Sequence, residues 1–500
     1  MTPSLDLLTE PLLSWRDARH RLATTTLPGI LARLASGDLA DFPRVRAHQF
    51  HPWSMFLTQL GAVALRHSGE PDPHLSEDQW RERLLALTDG SPAPWCLVVD
   101  DLAQPAFLQP PIPEGDVVRW KTSTHPDDLD VLLTARAHDV KTALIAPDDN
   151  EAWVYALVTL QTMQGYPGRG YNGIARMKGG YGNRARVGLA ADSSASTRFI
   201  RDLRVLGDTW FKLLERGYRE DGYALTWTPP WDGTTSLSLS ELTPHFIEIC
   251  WRLRCRNSSV GLTCAYTTTT VRRCLAEVTN GDVGDPWLPV HRAKGALTIG
   301  KSGFHYGLLT ELLFEADYEH AATQALREDD PDLMCMSLWA MVRGMGKTEG
   351  LHERLLPLSG PVRRLLGDDE GRALLGRRAR HAVLASDLMR RKVLFPALKQ
   401  LASGDHVVSD YFSARVNDVF FEKLFGSIED NDETTHLTWD QTLRDVAWQE
   451  LQSAIDRCSV PTAQRYRAIS ESERVFRGSL KRHFSDLIQH EANKTSGATR

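Results

Sequence analysis

The sequence predicts an α+β protein, with a large mixed α/β domain at residues 1–360 and a four-helix bundle at residues 361–490. Before Pro357, segments with apolar residues at helical spacing alternate with a stretch rich in Thr, Val, Trp and Cys that Gly and Pro interrupt. After Pro357, long amphipathic segments follow one another through short connections, which is typical of an antiparallel bundle. Residues 491–500 are predicted to be a disordered tail.

Composition and charge exclude several classes of protein. The 500 residues, 42% of them hydrophobic and 24% charged, fit a soluble globular chain of two to four domains. A net charge of −6 excludes a uniformly basic nucleic-acid binder, so any such contact must come from local patches. The lack of an apolar run near 18 residues and of a cationic start predicts neither a membrane span nor a signal peptide. Seven cysteines in such a chain fit the cytoplasm.

Helices in the first domain are predicted from apolar spacing and from residues that begin or end a helix. Gly37 is expected to end the first one, and Ser76 with Gln79 forms a capping box at the start of another. The region Trp227–Leu288 is predicted to be β-structure. The predicted helices are Leu27–Ser36, His48–His67, Ser76–Leu87, Ala152–Met163, Arg198–Leu214 and Asp330–Val342, followed in the bundle by Arg372–Leu401, Asp410–Phe425, Thr438–Ile455 and Thr462–Ile488.

The stretch Gln164–Gly188 stands out because it contains eight glycines and five basic residues, and no acid occurs between Ala152 and Ala191. Glycine permits positive φ angles and close backbone approach, while arginine attracts phosphate. Two interpretations follow. The stretch is either a flexible surface loop or a loop built to lie against a nucleic-acid backbone or groove edge, presented by the apolar helix before it.

A second glycine segment, RGMGKTEGLHER, is predicted to follow the helix Asp330–Val342. Its Gly346-Lys347-Thr348 is not a P-loop, because the glycine required five positions earlier is Met341. A nucleotide-binding role of this segment remains one hypothesis. The other is contact with bases or phosphates through Arg343, Lys347, Thr348, Glu349 and His352.

No enzyme motif is found, so we expect a non-enzymatic protein without a cofactor. His138-Asp139 is an isolated His-Asp dipeptide, and a metal-dependent nuclease or phosphohydrolase using it is the alternative function. Four cysteines lack the tight C-x2-C pair that zinc sites usually have, so buried thiols are the preferred interpretation. They are nevertheless the only candidate zinc ligands: Cys250, Cys255, Cys264 and Cys274.

Several segments in this order resemble one family, the CasA-type large subunit of the type I-E CRISPR surveillance complex, Cascade. They are the opening LLTEPLL, then AHDVKTAL, GYPGRGYNGIARMKGG and RGMGKTEGLHER, and finally the helical bundle. The resemblance spans the whole chain. It implies a non-catalytic subunit that recognises the protospacer-adjacent motif in double-stranded DNA from the minor-groove side. It also implies that the subunit opens the duplex for guide-RNA pairing and recruits a helicase-nuclease. The implied partners are target DNA, guide RNA, the other Cascade subunits and that helicase-nuclease.

The resemblance also implies roles for individual residues. Lys294 is expected in the minor groove, with Arg292 as the competing assignment. The wedge that opens the duplex would contain Lys347, Thr348 and Glu349, although the glutamine of the best-known relative is missing here. His138 and Lys141 would lie near the 5′ end of the guide RNA. The expected DNA contacts are Gly168, Arg169, Gly170, Gly173, Arg176, Lys178, Lys294, Arg343, Lys347, Thr348 and Glu349.

Overall fold

A computed structural model describes residues 5–130, 149–191, 194–259, 261–275, 279–344, 347–401, 406–429, 435–458 and 462–497. The helices within these ranges are α1 (Leu27–Ser36), α2 (Ala47–Ser68), α3 (Glu77–Ala86), α4 (Asp127–Asp130), α5 (Asn150–Met163), α6 (Ala195–Leu214), α7 (Tyr306–Phe314), α8 (Gly360–Gly367), α9 (Asp369–Leu388), α10 (His406–Glu429), α11 (Thr435–Asp456), α12 (Thr462–His483) and α13 (Ser485–Gly497).

The described strands form small sheets. They are β1 (Leu13–Asp17), β2 (Leu22–Thr25), β3 (Leu39–Asp41), β4 (Lys121–Ser123), β5 (Arg186–Ala190), β6 (Tyr223–Leu225), β7 (Leu242–Ile247), β8 (Arg252–Ser258), β9 (Gly261–Thr267), β10 (Val290–His291), β11 (Gly295–Ala296), β12 (Tyr318–Glu319), β13 (Met334–Gly344) and β14 (Lys347–Leu358). The sheet orders are β2-β1-β3, β4-β9-β8, β6-β7, β11-β10-β12 and β14-β13-β5.

Two compact units divide the chain. One comprises Met1–Phe304 with Asp317–Pro357, and the other comprises His305–Ala316 with Leu358–Arg500. The core of the first unit is rich in aromatic side chains between α2 and α5. The Trp53 ring stacks on Phe56 with centroids 5.6 Å apart and meets Tyr155 edge-on at 5.1 Å. Because α5 is buried on nearly all sides, the segment that follows it begins from a rigid support.

The predicted helix ends are confirmed where a capping side chain or a terminal glycine determines them. Gly37 ends α1 with a φ of 85°, a left-handed conformation that glycine adopts without steric cost. Ser76 caps α3, accepting a hydrogen bond from the Gln79 amide at 3.2 Å in the predicted capping box. The helices predicted at Ala152–Met163 and Arg198–Leu214 are α5 and α6. The predicted β-region contains β7, β8 and β9.

The helix predicted at Asp330–Val342 is wrong, because this segment forms strand β13. β13 is the middle strand of its sheet, between β14 and β5, and nearly every side chain on it is buried. A strand covered on both faces shows no polar alternation, so its apolar run cannot be distinguished by periodicity from a buried helix. The second glycine segment is therefore part of a β13–β14 hairpin.

The second unit is helical, as predicted. The helix predicted at Thr462–Ile488 is divided into α12 and α13, and α13 continues through residues 491–497, which were predicted to be disordered. A six-residue π-helix, Met389–Leu394, follows α9, and the helical path continues to Leu401. The Phe420 ring on α10 stacks on Tyr306 of α7 at 5.0 Å and meets Trp439 of α11 edge-on at 5.4 Å. Among the helices that the structure describes, none combines the length and apolar character needed to cross a lipid bilayer.

Candidate nucleic-acid interface

The glycine loop, residues Gly165–Gly182, is closed at its base by backbone hydrogen bonds. The Gly165 amide donates to the Gly182 carbonyl at 3.0 Å, and the Tyr166 amide donates to the Gly180 carbonyl at 2.8 Å. Just outside the loop, the Arg184 amide donates to the carbonyl of Met163, the last residue of α5, at 2.8 Å. These bonds attach both ends of the loop to the buried helix α5. This attachment favours an ordered loop over a flexible surface loop.

The glycines of the loop fall into two groups. A Cβ at Gly173 would lie 2.5 Å from the Gly165 carbonyl carbon, and a Cβ at Gly170, where φ is 81°, would lie 2.7 Å from the Thr268 side chain. These two glycines allow parts of the protein to pack closely. In contrast, a Cβ at Gly168 or Gly179 would meet no atom within 4 Å. Gly168 and Gly179 therefore leave space for approach by a ligand, and Gly180 is exposed with an ordinary contact of 3.6 Å.

Most of the arginines in Gln164–Gly188 have structural roles. Arg176 is buried, and its guanidinium donates to Glu248 and to the Phe246 carbonyl, both at 2.8 Å. Arg184 is also buried and donates to Asp285 at 2.7 Å. Burial alone would raise the pKa of Asp285, but Arg184 and then Arg176 hold that pKa below its usual value. The expected DNA contact by Arg176 therefore conflicts with its position, since its charge is already neutralised inside the protein.

Two cations of the glycine loop, Arg169 and Lys178, are exposed. Lys294 is also exposed, in the turn between β10 and β11. Partial burial, followed by repulsion from Lys294, lowers the pKa of Lys178 below its usual value. No carboxylate in the described ranges forms an ion pair with either lysine. The structure thus brings together two predicted residues that are more than a hundred positions apart.

Direct packing holds the Lys294 turn against the glycine loop. The Arg272 guanidinium donates to the Met177 carbonyl at 3.0 Å. Gly281 fits between the two elements, because a Cβ there would lie 2.7 Å from both the Lys178 amide nitrogen and the Ala296 side chain. The turn itself is shaped by His291, whose Nδ1 accepts hydrogen bonds from the amides of the two residues before Gly295 at 3.0 and 3.2 Å. The lysine pair therefore rests on ordered backbone.

The β13–β14 hairpin contains the remaining predicted DNA contacts. Arg343 is buried near its end, where its guanidinium donates to the Gln164 side chain at 3.0 Å and to the Asp130 carbonyl. Burial lowers the pKa of Arg343 to about 10. Thr348 and Glu349 are half-buried on β14. Residues 345–346 and the Lys347 side chain lie outside what the structure describes. Arg343 is therefore placed as a support of the glycine loop and not as an exposed contact.

The predicted RNA contacts His138 and Lys141 lie outside the described residues, as does Asp139 of the alternative catalytic pair. The described residues that precede them are anchored by polar contacts. His48 Nε2 on α2 lies 2.8 Å from Asp130 Oδ2, and Arg46 pairs with Asp127. The positions of the RNA candidates are therefore untested, but α2 fixes the residues that precede them.

The four cysteines considered as zinc ligands are buried free thiols. Cys255 and Cys264 face each other across β8 and β9, whereas Cys274 packs in a separate apolar cluster. Burial raises the pKa of the Cys250, Cys264 and Cys274 thiols, which disfavours the thiolate form that binds metal. Within the described ranges, no group of three or more His, Cys, Asp or Glu side chains is arranged to hold a metal ion.

Sequence reasoning missed the acids that neutralise the loop arginines. Glu248 follows β7 and Asp285 precedes Trp287, about 70 and 100 residues from their partners. Nothing in the local sequence of either acid indicates this pairing. The sequence contained one indication of this pairing, the absence of acids near the glycine loop. A buried arginine requires a carboxylate partner, so any arginine of this loop that is buried must pair with an acid from a distant segment.

Solved structures with this fold cover almost the entire chain. CasA from Thermus thermophilus has a TM-score of 0.64 at 14% identity over 96% of this chain and 100% of its own. Cse1 of Acidimicrobium ferrooxidans has a TM-score of 0.63 at 13% identity, covering 96% and 98%. Cse1 of Thermobifida fusca has a TM-score of 0.63 at 13% identity, covering 97% and 99%. No protein-family model and no curated protein sequence matches the chain. The resemblance to CasA-type proteins is confirmed at the level of the fold.

Proposed function

We propose that this chain is the non-catalytic large subunit of a CRISPR surveillance complex, Cascade, and recognises the protospacer-adjacent motif in double-stranded DNA. The observation that carries the proposal is that two exposed lysines, Lys178 and Lys294, lie on segments that pack together at Gly281, with the open Gly179 next to Lys178. The CasA-type fold supports it. The other Cascade subunits, the guide RNA and a recruited helicase-nuclease are the proposed partners, in the cytoplasm.

The lysine pair suits a reader of the minor groove. Two neighbouring ammonium groups repel each other. The phosphates that line a DNA groove attract both groups and so offset this repulsion. The minor groove presents a degenerate pattern of acceptors, which matches a short and permissive motif. Gly168 and Gly179, which leave backbone open, allow the loop to approach the base edges.

The β13–β14 hairpin is the proposed wedge. Its strands are 11 and 12 residues long, and β13 is fixed in the middle of a sheet, so the hairpin has a firm support. Unstacking a base step costs a few kcal/mol, which guide-RNA pairing must recover. Lys347, Thr348 and Glu349 are the proposed wedge residues, and His138 with Lys141 are the proposed guide-RNA contacts.

The experiment compares the double variant K178E/K294E with the wild type in the reconstituted complex. Reversing both charges is expected to weaken binding of motif-containing duplex DNA by about tenfold or more while the complex still assembles. Binding is measured by gel shift. The matched control is Lys212→Glu, at an exposed lysine on α6, which leaves binding unchanged. Wild-type affinity in the double variant would contradict the proposal.

A further inference from the structure

The turn that carries Lys294 is anchored at both of its ends by other segments. On one side, the Arg292 amide donates to the carbonyl of Asp317, the residue before β12, at 2.8 Å. On the other side, Gly295 has a φ of 76°, and a Cβ there would lie 2.3 Å from the Asn280 carbonyl oxygen. The left-handed conformation and the lack of space both require glycine. The remaining freedom of the turn therefore lies in the two residues between these anchors.

His291 supplies the hydrogen-bond acceptors inside this turn. Its Nδ1 accepts from the Ala293 amide at 3.0 Å and from the Lys294 amide at 3.2 Å. Its backbone carbonyl also accepts from the Lys294 amide, at 3.1 Å. In the part of the chain that the structure describes, neither of these two amides donates to another residue. The backbone conformation at Lys294 therefore depends on His291.

The imidazole ring of His291 is itself held in place. The residue is buried on β10 and is paired with Tyr318 of β12, and the two rings meet edge-on with centroids 4.9 Å apart. Because Nδ1 accepts two hydrogen bonds, the neutral ring carries its proton on Nε2. The side chain thus makes two separable contributions, a ring that packs on Tyr318 and an acceptor for the amides of the turn.

We infer that His291 is a positioning residue for DNA binding, whose Nδ1 holds the turn in the conformation that presents Lys294 to the minor groove. The role rests on the proposed function, since it requires Lys294 to contact the duplex. A lysine side chain loses rotamer freedom when its ammonium group is fixed at a ligand. A backbone that already has the bound conformation adds no further ordering cost to that loss.

Substitutions of His291 separate the acceptor from the ring. Asparagine retains an oxygen that accepts from the amides of the following residues, but it has no ring to place on Tyr318. Phenylalanine keeps a ring and has no acceptor. In the reconstituted complex, His291→Phe is expected to weaken binding of motif-containing duplex DNA by about fivefold or more, whereas His291→Asn stays within about twofold of the wild type. Gel shift measures both. An equal loss of binding in the two variants would overturn the role of the acceptor.

Hydrogen–deuterium exchange of the full-length chain reports on the turn in the absence of DNA. The amides of Ala293 and Lys294 are expected to exchange faster in His291→Phe and at the wild-type rate in His291→Asn. Unchanged exchange in His291→Phe would overturn the positioning role. Thermal unfolding checks that each variant is folded. If His291→Phe is not, His291→Ala replaces it, because alanine lacks the ring, as asparagine does, and differs from asparagine in having no acceptor.

Lys294→Glu in the same gel shift distinguishes a failure of the positioning role from a failure of the proposed function. If Lys294→Glu weakens binding and His291→Phe has wild-type affinity, the positioning role is overturned and the proposed function stands. If Lys294→Glu binds the duplex as the wild type does, the proposed function fails and the positioning role fails with it.

Discussion

Asp285 and Glu248 are the residues on which the order of the glycine loop depends. Each is buried and receives an arginine from the Gln164–Gly188 stretch. A buried ion pair contributes little net stability compared with apolar residues, but removing one partner leaves an uncompensated charge. The arginines predicted as DNA contacts therefore include Arg176, which acts inside the protein, as its neighbour Arg184 also does.

Arg184→Ala is expected to lower the free energy of unfolding by about 3–5 kcal/mol, because Asp285 would remain buried without its main partner. Arg169→Ala, in the same loop but exposed, should change it by no more than about 0.5 kcal/mol. Urea unfolding of both variants measures the difference. Similar unfolding free energies for the two would show that the buried pair does not support the loop.

At the scale of elements, the sequence predicts well the helices whose ends have clear chemistry. Ser76 caps one helix and Gly37 ends another, and these local signals do not depend on the rest of the fold. β13 was missed because burial on both faces removes the alternation that identifies a strand. The glycine loop was predicted as a site, but its internal packing was not, since Gly170 and Gly173 meet atoms from other parts of the loop and from Thr268.

Glycines of the loop that are closely packed and glycines that have open space are expected to respond differently to substitution. Gly170→Ala should destabilise the protein by about 1–2 kcal/mol, because its φ of 81° is left-handed and its Cβ would meet Thr268. Gly168→Val should leave stability unchanged, since it has open space, but weaken duplex binding by about tenfold by holding the loop away from the base edges.

Thermal unfolding and gel shift on the same two variants separate these effects. Arg169→Ala serves as the comparison for binding, because it removes one proposed phosphate contact and leaves the loop backbone unchanged. A larger loss of binding in Arg169→Ala than in Gly168→Val would indicate plain phosphate attraction and would argue against close approach by the loop.

The whole chain has a net charge of −6, yet it has a small basic surface. This surface lies where the glycine loop with Lys178 meets the β10–β11 turn with Lys294. The sequence indicated the α+β class, the helical second part and the individual lysines. It could not indicate that the segments of Lys178 and Lys294 are neighbours, because that proximity depends on packing around Gly281. Nor did it indicate that the short helix α7 (Tyr306–Phe314) packs with the carboxy-terminal helices, since its ring contact with Phe420 is long-range.

Lys178 and Lys294 are proposed to face the motif in duplex DNA. Photo-crosslinking tests it most directly, with p-benzoylphenylalanine in place of Lys294 in the reconstituted complex and Lys212 replaced in the same way as the control. Crosslinks from position 294 are expected to map to the motif base pairs and to disappear when the motif is changed, while position 212 is expected to give none. Crosslinks from position 294 that are absent, or that are spread evenly along the duplex regardless of the motif, would contradict it.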